Sequence, residues 1–162
     1  MAELILSGYA ICWNDKAFIE EKNDIRFYEQ FQRGAFLGSI ATKKQKVLLF
    51  HKNHYEIEGD LTLLEDETGL AFSIELPDSS EGRFVYNLVK EGTISHVSIG
   101  FRNARVQMDE YRHYEYRLVK KADLDEISLV EVPAYKKSIV RTGCDHVTLS
   151  LLSKIDKSLR CV

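Results

Sequence analysis

Apolar and polar positions alternate along much of the chain, and the period of the alternation changes often enough to outline the elements. Residues 4–13, Leu-Ile-Leu-Ser-Gly-Tyr-Ala-Ile-Cys-Trp, are rich in aliphatic, β-branched and aromatic types and predict a first strand with a bend at Gly8. Ile25, Tyr28 and Phe31 recur every three residues after Asn23 and Asp24, which predicts a short helix or turn-rich segment ending at Gly34. Val47, Leu48, Leu49 and Phe50 read as a buried strand. Leu61 and Leu63, then Leu70, Phe72, Ile74 and Leu76, take alternate positions on either side of Glu65-Asp66-Glu67-Thr68-Gly69, the pattern of a hairpin. Phe84, Val85, Leu88 and Val89 fall on one helical face, with Ser79 or Ser80 as N-cap and Gly92 as the stop. Strand signals return at 94–101, at Tyr114, Tyr116 and Leu118, and at 127–132, where Pro133 ends the run. Leu151, Ile155 and Leu159 form an amphipathic stripe in a last helical segment over about 146–160.

Together these elements predict an α+β fold: mostly antiparallel strands in a closed or nearly closed β-barrel, with two or three helices packed outside. At 162 residues the chain has the size of one domain. Its two prolines, Pro77 and Pro133, and the absence of Gly/Ser-rich or repetitive stretches leave no linker, so residues 1–162 are expected to form one unit with its core over 4–135. The net charge of -3 is spread among interleaved acids and bases, which gives no basic field for a phosphate backbone; nucleic acid is not an expected partner. No apolar run approaches the ~20 residues of a membrane helix. The N-terminus lacks a basic start, a long apolar run and a small-residue cleavage site, so synthesis in the cytoplasm and no membrane association are expected. Three scattered cysteines, Cys12, Cys144 and Cys161, suit reduced thiols better than a disulfide framework. There is no P-loop, dinucleotide fingerprint or Cys-x-x-Cys pair, and no cofactor is expected.

The chemistry is carried by four short strings. These are Gly34-Ala35-Phe36 shortly after Glu29; a histidine followed by Glu65-Asp66-Glu67-Thr68-Gly69-Leu70; Ser98-Ile99-Gly100-Phe101; and Glu126-Ile127-Ser128-Leu129-Val130-Glu131-Val132-Pro133-Ala134-Tyr135. In this order and spacing they resemble the prohead proteases of tailed bacteriophages, a family related in fold to the herpesvirus assemblins. The resemblance covers residues 6–135 and leaves the last helical segment unmatched. It implies an assemblin-like serine endopeptidase domain that cleaves scaffold or major capsid protein inside the prohead, in the bacterial host cytoplasm, and that also cuts itself. It also allows a homodimer.

Ser98 lies between Val97 and Ile99 in a strand-like run ending at Gly100, where a rigid apolar element can present a hydroxyl and the glycine permits close approach. It is the expected nucleophile. Ser95, three residues earlier, would face the other side of a regular strand. A serine hydroxyl needs a base to take its proton as it attacks. His51 and His54 both follow the apolar run at 47–50, and residues three apart on a continuing strand face opposite sides, so only one can serve. The family's spacing to the hairpin favours His51; Asn53 before His54 keeps that residue as the alternative. A weak metal pair formed by the two with Glu56, Glu58 and Asp60 is disfavoured, because such carboxylates on a charged loop are usually solvated, and no metal is expected. An acid must orient the imidazole. Glu126 is the candidate from the resemblance, with Asp123 and Asp125 competing. Arg102 could add positive charge near the oxyanion, whereas His96 and His113 have no spacing that pairs them with Ser98. Two rival readings are a non-catalytic β-barrel module that binds scaffold or capsid subunits, and a metal-dependent hydrolase.

Overall fold

The structure, a computed structural model, describes residues 3–143. The expected helix over 146–160, with Cys144 and Cys161, lies outside the described residues. Ten strands, two α-helices and a short 3-10 turn follow in the order β1 (Leu4–Cys12), β2 (Ala17–Glu20), the turn Lys22–Asp24, β3 (Arg26–Phe31), α1 (Leu37–Thr42), β4 (Lys46–Leu49), β5 (Lys52–Glu56), β6 (Asp60–Glu65), β7 (Gly69–Leu76), α2 (Ser80–Lys90), β8 (His96–Tyr111), β9 (Tyr114–Val130) and β10 (Ile139–Thr142). The α+β character holds, with strands dominating. No helix among the described residues is long and apolar enough to cross a membrane.

The strands form two sheets. One is antiparallel in the order β10-β1-β7-β6. The other is built around β9, whose one edge pairs antiparallel with β8 along nearly its whole length. Its other edge takes β3 in parallel at Glu115–Val119 and then β4 in parallel at Glu126–Leu129, end to end. β2 and β5 complete that sheet at its margins. The expected closed or nearly closed barrel is therefore not formed as one hydrogen-bonded ring. The strands make two open sheets, and the chain passes between them at Ile57–Gly59, where Ile57 N–H still bonds to Val47 O. The core lies between the sheets: Leu6, Ile11, Leu70, Phe72 and Ile74 from the first meet Val47, Leu49, Val97, Ile99, Ile127 and Leu129 from the second.

Several elements follow the apolar pattern. The hairpin of β6 and β7 turns at Asp66, whose Oδ1 accepts from the N–H groups of Thr68 and Gly69. α2 is capped by Ser79, whose Oγ accepts from Gly82 N–H, and the chain leaves it through Gly92 at a φ of +82°. Val85 and Val89 bury its inner face, but Phe84 is exposed and does not share that face. The short helix expected before Gly34 is instead β3. Phe27, Glu29 and Phe31 are its buried face, so the Phe27 that breaks a three-residue period is the signal of a two-residue one. The three strand signals beyond residue 94 merge into the single long β8–β9 hairpin.

Candidate active site

β8, β9 and the end of β4 bring the functional candidates together. In the antiparallel register Ser98 faces Ser128 and Gly100 faces Glu126, so these four positions share one side of the sheet. Val97, Ile99, Ile127 and Leu129 take the other side and anchor it in the core. Ser98 is thus held on a strand whose alternate residues are fixed by packing, with 8% of its surface exposed. Ser138 grips the strand just before it. Its Oγ accepts from Val97 N–H at 3.2 Å and its carbonyl lies 2.8 Å from His96 Nδ1.

His51 reaches the same place from the next strand. β4 ends at Leu49, paired with Lys52, and Phe50 and His51 are the two residues of the tight turn between them. Both have positive φ, 55° and 58°, which bulky side chains adopt only when their surroundings enforce it. The turn is pinned by Phe50 N–H donating to Leu129 O at 3.1 Å, which sets it beside β9. β4 ends before His51, so the opposed faces expected for His51 and His54 on a continuous strand do not arise; the turn separates them. The His51 ring lies with Nδ1 2.5 Å from Glu126 Oε1. A carboxylate only accepts, so opposite an ionised Glu126 it is Nδ1 that donates, and a neutral ring in this pose would present Nε2 without a proton. The imidazole is about half exposed at 45%, the Glu126 side chain only 16%. No hydrogen bond joins Ser98 Oγ to His51 among the described residues.

Glu126 reaches His51 because Gly100 leaves room. A Cβ on Gly100 would stand 2.6 Å from Glu126 Cγ and 2.9 Å from its Cδ. Two residues along β9, Ser128 Oγ–H donates to Glu126 Oε1 at 2.9 Å.

A profile of the caudovirus prohead serine proteases matches residues 1–150. The chain belongs to that family. It is also similar to the prohead protease of Escherichia phage T5, at 31% identity over 96 residues, which are 59% of this chain and 44% of the T5 protein. The match thus spans less than half the length of that relative. In this member of the prohead serine proteases, the Ser98 and Glu126 strings are the paired strands β8 and β9, and Glu65 ends β6, where its Oε1 accepts from Gly34 N–H. Glu29 and Tyr135, from the first and last strings, also meet: the Tyr135 hydroxyl donates to Glu29 Oε1 in the buried interior. Burial pushes the Glu29 carboxyl up despite that bond and nearby Arg117, and raises the Tyr135 hydroxyl strongly, reinforced by Glu29 itself.

The other candidates lie elsewhere. His54 is exposed on β5, with its ring centroid 4.4 Å from that of Tyr55. Asp125 is paired with Lys43 at 3.0 Å and with Arg102 at 3.3 Å. Asp123 accepts from Asn103, a bond that holds its exposed carboxyl below the usual range. Arg102 is accordingly engaged at the surface. Ser95 precedes β8, and its carbonyl accepts from Val140 N–H. His113 sits in the distal β8–β9 turn. Among the described residues no three His, Cys, Asp or Glu side chains gather as a metal-ligating group. Ser128 and Ser138 make contacts here that pattern reading did not assign, and the close approach expected at Gly100 is made by the Glu126 side chain. A signal existed for Ser128: it is a lone polar residue, two positions after Glu126, in a run that is otherwise apolar.

Proposed function

We propose that this chain is a serine endopeptidase of phage capsid maturation, in which Ser98 is the nucleophile, His51 the general base and Glu126 the acid that orients it. The observation that carries the reading is the 2.5 Å contact between His51 Nδ1 and Glu126 Oε1 on the sheet face that also bears Ser98. With its Nδ1 proton held by the carboxylate, the ring offers Nε2 to the serine. Ser98 Oγ attacks the scissile carbonyl carbon as Nε2 takes the hydroxyl proton. The C=O π pair moves to oxygen, and Glu126 stabilises the imidazolium. Collapse of the tetrahedral adduct expels the amine, which receives the proton from Nε2, and leaves an acyl ester on Ser98. Water, deprotonated by the same nitrogen, then releases the carboxylate product and restores the serine. The Ser98–His51 hydrogen bond forms on this reading as substrate binds, a stage at which such contacts commonly tighten. The oxyanion requires preorganised donors; Val97 N–H is committed to Ser138 and is not one of them.

The substrates on this reading are scaffold or capsid-protein segments inside the prohead, and the chain itself. The test is co-expression with a candidate capsid or scaffold protein. Ser98→Ala is expected to abolish its processing while the domain stays folded by circular dichroism. Undiminished processing by that variant would overturn the assignment of Ser98, and processing that persists with the chain left out would favour a non-catalytic binding module.

A further inference from the structure

We infer that Ser128 is a positioning residue of this site, holding the Glu126 carboxylate where it meets His51. The inference rests on the triad proposed above. Ser128 has no exposed surface and lies mid-strand in β9, opposite Ser98 on one side and Leu48 on the other. A hydroxyl shut off from water must find an acceptor, and the one it meets is Glu126 Oε1. That same oxygen receives the Nδ1 proton of His51.

The fold alone does not call for a hydroxyl at this position. Ile127 and Leu129 flank it, Leu48 lies beside it, and alanine would fill nearly the same volume with no polar group to satisfy. Glu126, by contrast, needs restraint. Its side chain has three rotatable bonds, and immobilising it opposes considerable rotamer entropy. Gly100, across the strand pair, clears the space for the side chain's Cγ and Cδ, and Ser128 supplies a fixed donor to its Oε1. Two donors converging on Oε1 leave that oxygen one position from which to serve the imidazole.

The test uses the full chain and the rate at which a fluorophosphonate probe labels Ser98, which needs no knowledge of the cleavage sequence. Ser128→Ala is expected to slow labelling about tenfold, the effect of one hydrogen bond to a charged group, with an unchanged melting temperature. Ser128→Thr, which keeps the hydroxyl, recovers most of that rate. The low-field Nδ1 proton resonance of His51 moves upfield in the alanine variant and returns in the threonine variant. In a Glu126→Ala background, Ser128→Ala has no further effect on labelling. Wild-type labelling by Ser128→Ala, with Glu126→Ala slow, overturns the positioning role and leaves the triad standing. Fast labelling by Glu126→Ala overturns the triad, and the positioning role with it. Should the alanine variant melt early, Ser128→Cys keeps the volume with a much weaker donor and gives the same discrimination.

Discussion

Gly100→Ala isolates the geometry on which the site depends. Gly100 is not among the glycines with positive φ, so alanine adds a methyl group without backbone strain. That methyl carbon would lie 2.6 Å from Glu126 Cγ. Reaching an ordinary carbon–carbon separation requires the side chain to retreat by about 1 Å. A retreat of that size takes the 2.5 Å contact with His51 beyond hydrogen-bond range. Losing a hydrogen bond to a charged group removes about 1.5–3 kcal/mol, or roughly 10- to 150-fold in the rate of Ser98 acylation. Stability should change little, because the atoms displaced belong to a flexible, partly exposed side chain. The assay is fluorophosphonate labelling of Gly100→Ala, Glu126→Ala and the double variant, alongside thermal melts. The two substitutions should be non-additive, with the double variant no slower than Glu126→Ala alone. Additive losses, or wild-type labelling by Gly100→Ala, would refute the argument that this glycine exists to seat the carboxylate.

His51→Ala should lower labelling and cleavage by at least two orders of magnitude, as expected for loss of a general base, whereas His54→Ala leaves both within a factor of about 2; the reverse result would move the base to β5. Glu65 offers a pH prediction. Burial pushes its carboxyl up, opposed by backbone N–H groups of Gly34 and Phe36 and by Arg33, and its Oε2 has no partner. A raised native pKa means that the folded state holds the proton more tightly, so the contribution to stability is full below about 4.3 and is lost as pH climbs through the native value. Glu65→Gln should therefore gain melting temperature relative to wild type between pH 4 and pH 7; a difference that stays constant across that range would count against the burial argument.

A buried face made the pattern plain in most elements but not in β3, whose alternate buried residues Phe27, Glu29 and Phe31 were masked by the three-residue spacing of Ile25, Tyr28 and Phe31. β1, β4, the β6–β7 hairpin and α2 all stand where apolar spacing predicts them. β5 and the distal half of β8 were not legible, because exposed strands carry no apolar alternation: every residue of β5 is exposed, as is most of β8 beyond Phe101. What holds the distal hairpin is aromatic. Tyr28 packs edge-on against Tyr111 with centroids 4.9 Å apart, Phe18 against Tyr114 at 5.0 Å, and Lys16 Nζ stands 3.8 Å over the Tyr111 ring. The turn at Phe50 and His51 lacks the Asn-Gly signature of a tight hairpin, so neither the end of β4 nor the separation of His51 from His54 could be anticipated from pattern. Ser98, His51 and Glu126 entered as candidates from the four strings, but their convergence depends on β9 pairing with two other strands, which no local period encodes.

That pairing also sets when a site can exist. The chain is synthesised from its N-terminus, so the strand bearing Ser98 and the turn bearing His51 emerge well before residue 126. Neither has its neighbour until β9 is made, because β4 and β8 are joined to each other only through it. A nascent or truncated chain ending before β9 holds the serine and the histidine but has no sheet to align them and no carboxylate to orient the ring. On the proposed reading, proteolytic competence is withheld until β9 is made and arrives in one step, when that strand slots between its partners.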